Sequence, residues 1–503
     1  MGCETSRKRG SVSRVSRHAG GVPVELDTVL EGIEDVGSYM TRLNARTLAA
    51  ASMLVLTAVG VCAGAAQADT LRDAIAAAYA QNPTLAKARA LQRGTDESYV
   101  QARSQMGPAV DAQLGANYQR EPAALGGNGS TGSGTLSLRQ NVFTSGNLAS
   151  TLNAAQDTVK AGQEQLRSTE AGVLYSVISV YTLVRRDQEA LQIAQQNYDT
   201  LKKQLDQTQA QFEAGQLTRT DVAQSQASLS QAEASLAQAQ AALDSDRATY
   251  VQVVGQSPTA LEEAPPLPGL PLDFNAALAA AEQNNPDLQS ALYASASSHA
   301  AVGEARSAFG PQVALTASST NAGALNNLGT TINETTAGIT LSIPLYASGM
   351  NSSRVREALE NENASKAQVD ITRRTVTASV AQAWSQMLAA RSATTSNEAQ
   401  VKAAQTAFDG THTEQQVGLR TNLDVLLAEQ TLNSAQLQLI DARRQQYVAA
   451  AQLLQVTGNL TARTLSPDAQ LYDPAKNFNK VKNKGWNPIE PAVQALDGLA
   501  APK

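Results

Sequence analysis

Between residues 147 and 213 the small and apolar side chains return in alternating steps of four and three. Leu148, Leu152, Ala155, Val159, Gly162, Leu166, Thr169 and Val173 share one line, and one extra four-residue step leads to Val177. Val180, Val184, Asp187, Leu191, Ala194, Tyr198, Leu201, Leu205, Thr208 and Phe212 then resume it. This is the seam of a coiled coil, and it predicts one long helix that breaks at Gly215. A second seam runs through Val222, Ser225, Leu229, Ala232, Leu236, Ala239, Leu243, Asp246, Tyr250 and Val253. Many of these positions are Ala, Ser, Thr or Gly, which lets helix backbones approach closely.

Upstream the period differs. Leu71, Ile75, Ala78 and Leu85 have helical spacing over residues 70–106, with Pro83 dividing a short helix from a longer one. After Gly107-Pro108 the spacing becomes two: Val110, Ala112, Leu114, Ala116 and Tyr118 alternate with polar or small residues. That is a strand with one apolar face. A breaker-rich loop is expected over Pro122–Gly134, followed by a second strand carrying Leu136, Leu138 and Val142.

The whole order is then repeated with a fixed shift of 203 residues. Asn82-Pro83 lands on Asn285-Pro286, Gly107-Pro108 on Gly310-Pro311, Ser145-Gly146 on Ser348-Gly349, Gly215 on Gly418 and Asp221 on Asp424. Val313, Leu315 and Ala317, a loop around Asn321–Glu334, and Ile339, Leu341, Ile343 and Leu345 form the second hairpin. The expected units are residues 69–271, with a hairpin at about 109–143, and residues 272–474, with a hairpin at about 312–346. A proline-rich linker, 262–271, crosses between them, and a polar tail, 475–503, reads as draped on the surface or partly disordered.

The N-terminal segment reads as processing rather than fold. Residues 40–68 combine a short basic start, an apolar stretch from Leu48 to Val61 and the cleavage site Ala66-Gln67-Ala68, which predicts a mature start at Asp69. Residues 1–39 lie upstream of that signal and read as a non-native extension. Met1-Gly2-Cys3 fits an acylation pattern, but an export signal contradicts a cytoplasmic anchor.

Composition narrows the chemistry. Only 4% of residues are aromatic, which suits helices packed through small side chains. Without residues 1–68 the chain keeps 32 basic and 39 acidic residues, and no basic stripe points to nucleic acid. Both cysteines, Cys3 and Cys62, fall in the removed part, so no thiol, disulfide or Cys-ligated metal is expected. His299 and His412 lack metal-ligand spacing and read as solvated helix positions. No nucleophile elbow, P-loop or zincin motif is present, so neither an enzyme nor a metal or cofactor site is expected.

Lengths constrain the arrangement. The 147–213 helix spans roughly 100 Å and the flanking helices about 50–55 Å each. Each unit is expected to form two rods, with the hairpin at one end and the Gly215 or Gly418 turn at the other. Strands of about ten residues cross a bilayer when tilted. Four strands cannot close, and an open edge in lipid is costly. Three chains would give twelve.

The ordered set of Asn-Pro pairs, Phe143-Thr-Ser-Gly146, Pro344-Leu-Tyr-Ala-Ser-Gly349 and the turns Gly215–Asp221 and Gly418–Asp424 resembles the TolC-like outer-membrane efflux and type I secretion channels. The resemblance covers about 69–474. It implies a mainly helical homotrimer: a twelve-stranded transmembrane β-barrel on a long periplasmic α-helical coiled-coil barrel. A periplasmic adaptor (membrane fusion) protein would dock on it, and an inner-membrane ABC or proton-driven transporter would supply cargo. It also implies a gate at the turns, with Thr220, Asp221, Arg420 and Asp424 as candidates and Arg420 bonded to Thr220 or Asp221. Two departures matter: Leu427 stands where a second carboxylate is common, and Gln415 where a tyrosine is. Gly215, Leu217, Gly418 and Leu419 are the expected adaptor contacts, with both leucines exposed. The competing reading of Asp221 and Asp424 is plain helix capping. Tyr472-Asp473-Pro474, Asn477-Phe478, Val481 and Trp486 resemble the type I secretion branch and lean towards protein export, with drug efflux open. A soluble periplasmic coiled-coil adaptor is the alternative class; it would explain the seams but not four bilayer-length strands.

Overall fold

The computed structural model describes residues 70–120, 129–324, 331–467 and 471–500. The expected extension 1–39, the signal 40–68 and the Asp69 start lie outside the described residues.

Each repeat begins with two helices joined at an Asn-Pro pair: α1 (Leu71–Gln81) and α2 (Pro83–Ser104) in the first, α5 (Phe274–Asn284) and α6 (Pro286–Ser307) in the second. Proline holds the preceding Asn extended, at ψ 122° for Asn82 and 120° for Asn285, so the helix must restart. The same Asn caps the new helix. Asn82 Oδ1 accepts from Thr84 N at 2.9 Å, and Asn285 Oδ1 from Asp287 N at 3.0 Å. The Asn amide then reaches across the repeat. Asn82 Nδ2 donates to Val253 O at 2.9 Å, and Asn285 Nδ2 to Val456 O at 2.8 Å.

Those carbonyls belong to the last turn of α4 (Arg219–Val254) and α8 (Asn422–Val456), so the returning helix meets the incoming one end to end. The two long helices, α3 (Asn147–Glu213) and α7 (Met350–Gln416), have 67 residues each and start 203 residues apart. Of the first seam, Leu148, Leu152, Val159, Leu166, Val173, Val177, Val180, Val184, Leu201 and Thr208 are buried. The repeats pack side by side, α3 lying against α6 and α8. Arg167 ties them, donating to Asn284 O at 2.9 Å and Gly458 O at 3.1 Å. The 262–271 linker is strapped down by Tyr181, whose hydroxyl donates to Glu262 O at 2.8 Å, and by Tyr447, which reaches Pro265 O at 2.8 Å.

Both hairpins join one antiparallel sheet, β1 (Ala109–Gln119), β2 (Gly129–Phe143), β3 (Gln312–Ala324) and β4 (Thr331–Ser342), in sequence order. Its register aligns an apolar row, Val110, Leu138, Ala317 and Ala337, beside a polar row, Asp111, Ser137, Ser318 and Thr336. Val110 and Leu114 are 61% and 92% exposed, so the apolar face is uncovered by its own chain there, although Gln140 on the same face is buried. Strands β1 and β4 each pair on one side only within this sheet. Among the described residues no helix is long and apolar enough to cross a membrane.

Three expectations are corrected. Residues 129–134, 321–324 and 331–334 are strand rather than loop, because pairing partners override their Gly, Ser, Asn and Thr content. Strand β4 ends at Ser342, leaving Pro344 and Leu345 beyond the sheet. The tail lies on the surface, but as far as residue 500 it is helical rather than partly disordered. After the short α9 (Ala462–Leu465) it forms α10 (Pro474–Val481) and α11 (Glu490–Gly498). Arg89 stacks over Tyr79 and Tyr472, at 4.3 and 5.2 Å from their ring centroids. Asn477 donates to buried Asp96 at 2.7 Å, and Arg103 forms an ion pair with Glu490.

Candidate functional site at the helix turns

At the end of each long helix the chain reverses through one design. Gly215 and Gly418 have φ of 75° and 76°, a left-handed conformation that favours glycine. Gln216 N donates to Gln211 O at 2.9 Å and Gly215 N to Phe212 O at 2.9 Å; Leu419 N to Glu414 O at 2.9 Å and Gly418 N to Gln415 O at 3.0 Å repeat the pattern. This paired closure satisfies carbonyls that the helix end would leave free.

The next helix then opens with a capping box. Thr218 Oγ1 accepts from Asp221 N at 3.3 Å, and Asp221 Oδ2 accepts from Thr218 N at 3.0 Å and Thr218 Oγ1 at 2.7 Å. Thr421 and Asp424 do the same at 3.2, 2.9 and 2.8 Å. The caps are therefore the threonines, and the aspartates are their third-position partners. Hydrogen bonds from the Thr218 side chain and backbone hold the Asp221 carboxyl below the usual carboxylate range. The Thr421 backbone and side chain, with Arg420 nearby, do this for Asp424.

Arg420 turns the other way from expectation. Its Nε donates to Glu414 Oε2 at 2.9 Å, across its own turn, rather than to Thr220 or Asp221 of the same chain. That partner and the Asp424 charge raise its pKa. Leu419 is 75% exposed, whereas Leu217 is half-buried, so the two leucines are not equivalent. The shift of 203 pairs Leu217 with Arg420 instead. Gln415 is half-buried and Leu427 is 52% exposed. Thr220 lines, with Leu201, Leu423, Leu427 and Glu429, a cleft of about 670 Å³ between α3, α4 and α8.

Behind the turns lies a buried polar cluster. Gln204 Nε2 donates to Asn422 Oδ1 at 2.6 Å, Asn422 Nδ2 to Ser225 Oγ at 2.9 Å, Ser225 Oγ to Thr208 Oγ1 at 3.3 Å and Thr208 Oγ1 to Gln204 O at 2.8 Å. It joins α3, α4 and α8. Thr208 and Ser225, polar residues on two seams, were the only signal of it in the sequence. Farther along α8, burial pushes the Glu429 carboxyl up to about 7. His299 is the exposed helix position expected of it, with its Nδ1 3.0 Å from Glu362 Oε1.

The family model described as outer membrane efflux protein matches residues 74–256 and 277–459, two segments offset by the same 203 residues. The efflux protein BepC of Brucella suis is 32% identical over 437 residues, covering 86% of this chain and 95% of that protein. The alkaline protease secretion protein AprF of Pseudomonas aeruginosa is 28% identical over 324 residues, 63% of this chain and 66% of its own. The solved structure of the Campylobacter jejuni outer membrane channel CmeC superposes with a TM-score of 0.69 at 15% identity, covering 83% of this chain and 90% of that one. The chain belongs to the outer membrane efflux protein family, the outer-membrane channels that the TolC-like motifs had pointed to.

Proposed function

We propose that three copies of this chain form the exit channel of a tripartite type I secretion or efflux system. The observation that carries this is the sheet: four antiparallel strands with an apolar face uncovered and both edges, β1 and β4, open. An even number of strands lets β4 of one copy pair antiparallel with β1 of the next, so cyclic assembly removes every edge. Twelve strands lie within the range of bilayer barrels, which begin at about eight. The helices would continue the pore through the periplasm to the turns at Gly215 and Gly418. There an adaptor would dock, and an ABC or proton-driven transporter would deliver cargo. Conduction is passive.

Cargo has two readings. BepC is named for efflux and AprF for protease secretion, so either relative supports its own class. Membrane extracts analysed by native mass spectrometry, followed by planar-bilayer recording, test the channel. A trimer with steady conductance is expected. A monomer in the soluble periplasmic fraction would instead support the adaptor-like coiled coil. A deletion strain assayed for lost secreted proteins and for drug sensitivity separates the two cargo classes.

A further inference from the structure

We infer that the C-terminal tail is a membrane-interface anchor, seated on the periplasmic leaflet of the outer membrane and selective for anionic phospholipid. The inference rests on the reading that the four strands stand in the bilayer.

Position comes first. Leu138 is exposed on the apolar face of β2, and Gln140, the next residue on that face, is buried. At about 3.3 Å per residue the two lie roughly 7 Å apart. Gln140 Nε2 donates to Met106 O at 2.8 Å, and Met106 packs in one cluster with Val493 of α11. Helix α11 itself lies against β2 and α3. On β2 the tail therefore begins where the uncovered apolar stretch ends, while on β3 and β4 exposed apolar residues continue through Leu315, Ile339 and Leu341. This end of β2 is the level at which a lipid headgroup region would lie.

Pattern comes second. Glu490, Val493 and Asp497 are buried and form the attachment stripe of α11. Ile489, Ala492, Leu496 and Leu499 form a second stripe at three-four-three spacing, and all four are exposed, Leu499 at 86%. Trp486, just before the helix, is 57% exposed. An amphipathic helix with a tryptophan at its edge suits a membrane interface, where the indole is at home among headgroups.

Charge comes third. Among the described residues the acidic side chains of the tail are all engaged within the protein. Asp473 caps α10, Glu490 pairs with Arg103, and Asp497 binds the start of α3. Lys476, Lys480 and Lys484 remain exposed, the first two one turn apart on α10. The exposed charge of the tail is thus net positive, which complements anionic lipid at about fivefold in partitioning per lysine.

The chain has two tryptophans. In Trp384→Phe trimers Trp486 is the only one, and its emission reports the tail directly. The trimers are reconstituted in phosphatidylethanolamine vesicles containing from none to about a third phosphatidylglycerol, with bromine on the acyl carbons nearest the headgroup. Quenching that grows with phosphatidylglycerol is expected, and Lys476/Lys480/Lys484→Gln should abolish the growth. Quenching by acrylamide but not by bromolipid places the tail in water and overturns the inference. Shielding from both places it against a neighbouring copy and overturns it equally. Bromolipid quenching indifferent to phosphatidylglycerol and to the lysines overturns the lipid selectivity. Leu114→Trp in a Trp384→Phe/Trp486→Phe background checks the sheet. If Leu114→Trp is quenched and Trp486 is not, the anchor alone fails. If neither is quenched, the bilayer reading of the strands fails and takes the anchor with it.

Discussion

Asp497 caps a helix that starts 350 residues earlier in the chain, holding Thr144 through both its backbone N, at 2.6 Å, and its hydroxyl, at 2.8 Å. The same carboxylate accepts from Gly146 N at 3.1 Å and Ala149 N at 3.1 Å, and it is fully buried. Helix α3 has Gly146 at its N-cap, with no side chain to cap it, so the negative charge at its positive end is supplied from the tail.

Asp497→Ala should therefore cost far more than a surface change. Loss of a cap costs about 0.5–2 kcal/mol. Each buried donor left unpaired adds about 1–3 kcal/mol. Thermal unfolding of the detergent-extracted protein, followed by circular dichroism, should show a clear drop in midpoint, with Asp497→Asn intermediate. A midpoint equal to that of the parent protein would make the contact incidental.

The long elements were legible because local rules agree with the fold there. Heptads, the Asn-Pro restart and the Gly turns each carry their reason within a few residues, and the duplication doubles the signal. What was missed depends on distant partners. Helices α10 and α11 span only about two turns each and are held by Asp96, Arg103 and Thr144. Gln204 and Asn422 are 218 residues apart, and neither looks special in sequence. Arg420 found Glu414 because the glycine turn folds the helix end back over it, a geometry that a family gate pattern does not specify.

Asp187 and Asp246 sit on facing seams, and the burial of Asp187 there gives a pH dependence. Burial, with the Asp246 carboxyl beside it, raises the Asp187 pKa to about 7, against the Arg186 Nε at 3.0 Å. A folded-state pKa above the unfolded value means that the folded protein binds the extra proton. Stability through this group then falls as pH rises from the ordinary carboxylate range to about 7. Asp187→Asn should flatten that fall and raise the melting midpoint at pH near 8, measured across a buffer series. Parallel curves for the two proteins would refute the assignment.

Asn422→Ala should loosen the turn of α8. It removes the acceptor of Gln204 and the donor to Ser225, leaving both buried. Each stranded group costs about 1–3 kcal/mol. Because the cluster ties α8 to α3 and α4, the expected readout is faster hydrogen exchange in residues 419–430 and higher single-channel conductance. Unaltered exchange there would show that the cluster does not restrain the turn.

Asp424 should set ion preference. In the proposed trimer three copies face one axis, and Leu427 offers no second carboxylate ring to share the task. Three like charges in a narrow entrance favour cations. The Thr421 hydrogen bonds keep the carboxylate ionised below the usual range, so cation preference should survive moderate acid and vanish only as pH falls through that lowered value. Asp424→Asn should reduce selectivity in planar bilayers at every pH above it. Arg420 adds a sharper test, because its partner within the chain is Glu414. If that pair holds the turn, Arg420→Ser and Glu414→Gln should raise conductance alike, and the double variant should add little to either. A silent Glu414→Gln beside an active Arg420→Ser would move the restraint to a neighbouring copy, where Thr220 or Asp221 would be the partner. Selectivity unmoved by Asp424→Asn would leave that residue as the partner of the Thr421 cap alone, with the narrowest point of the pore elsewhere.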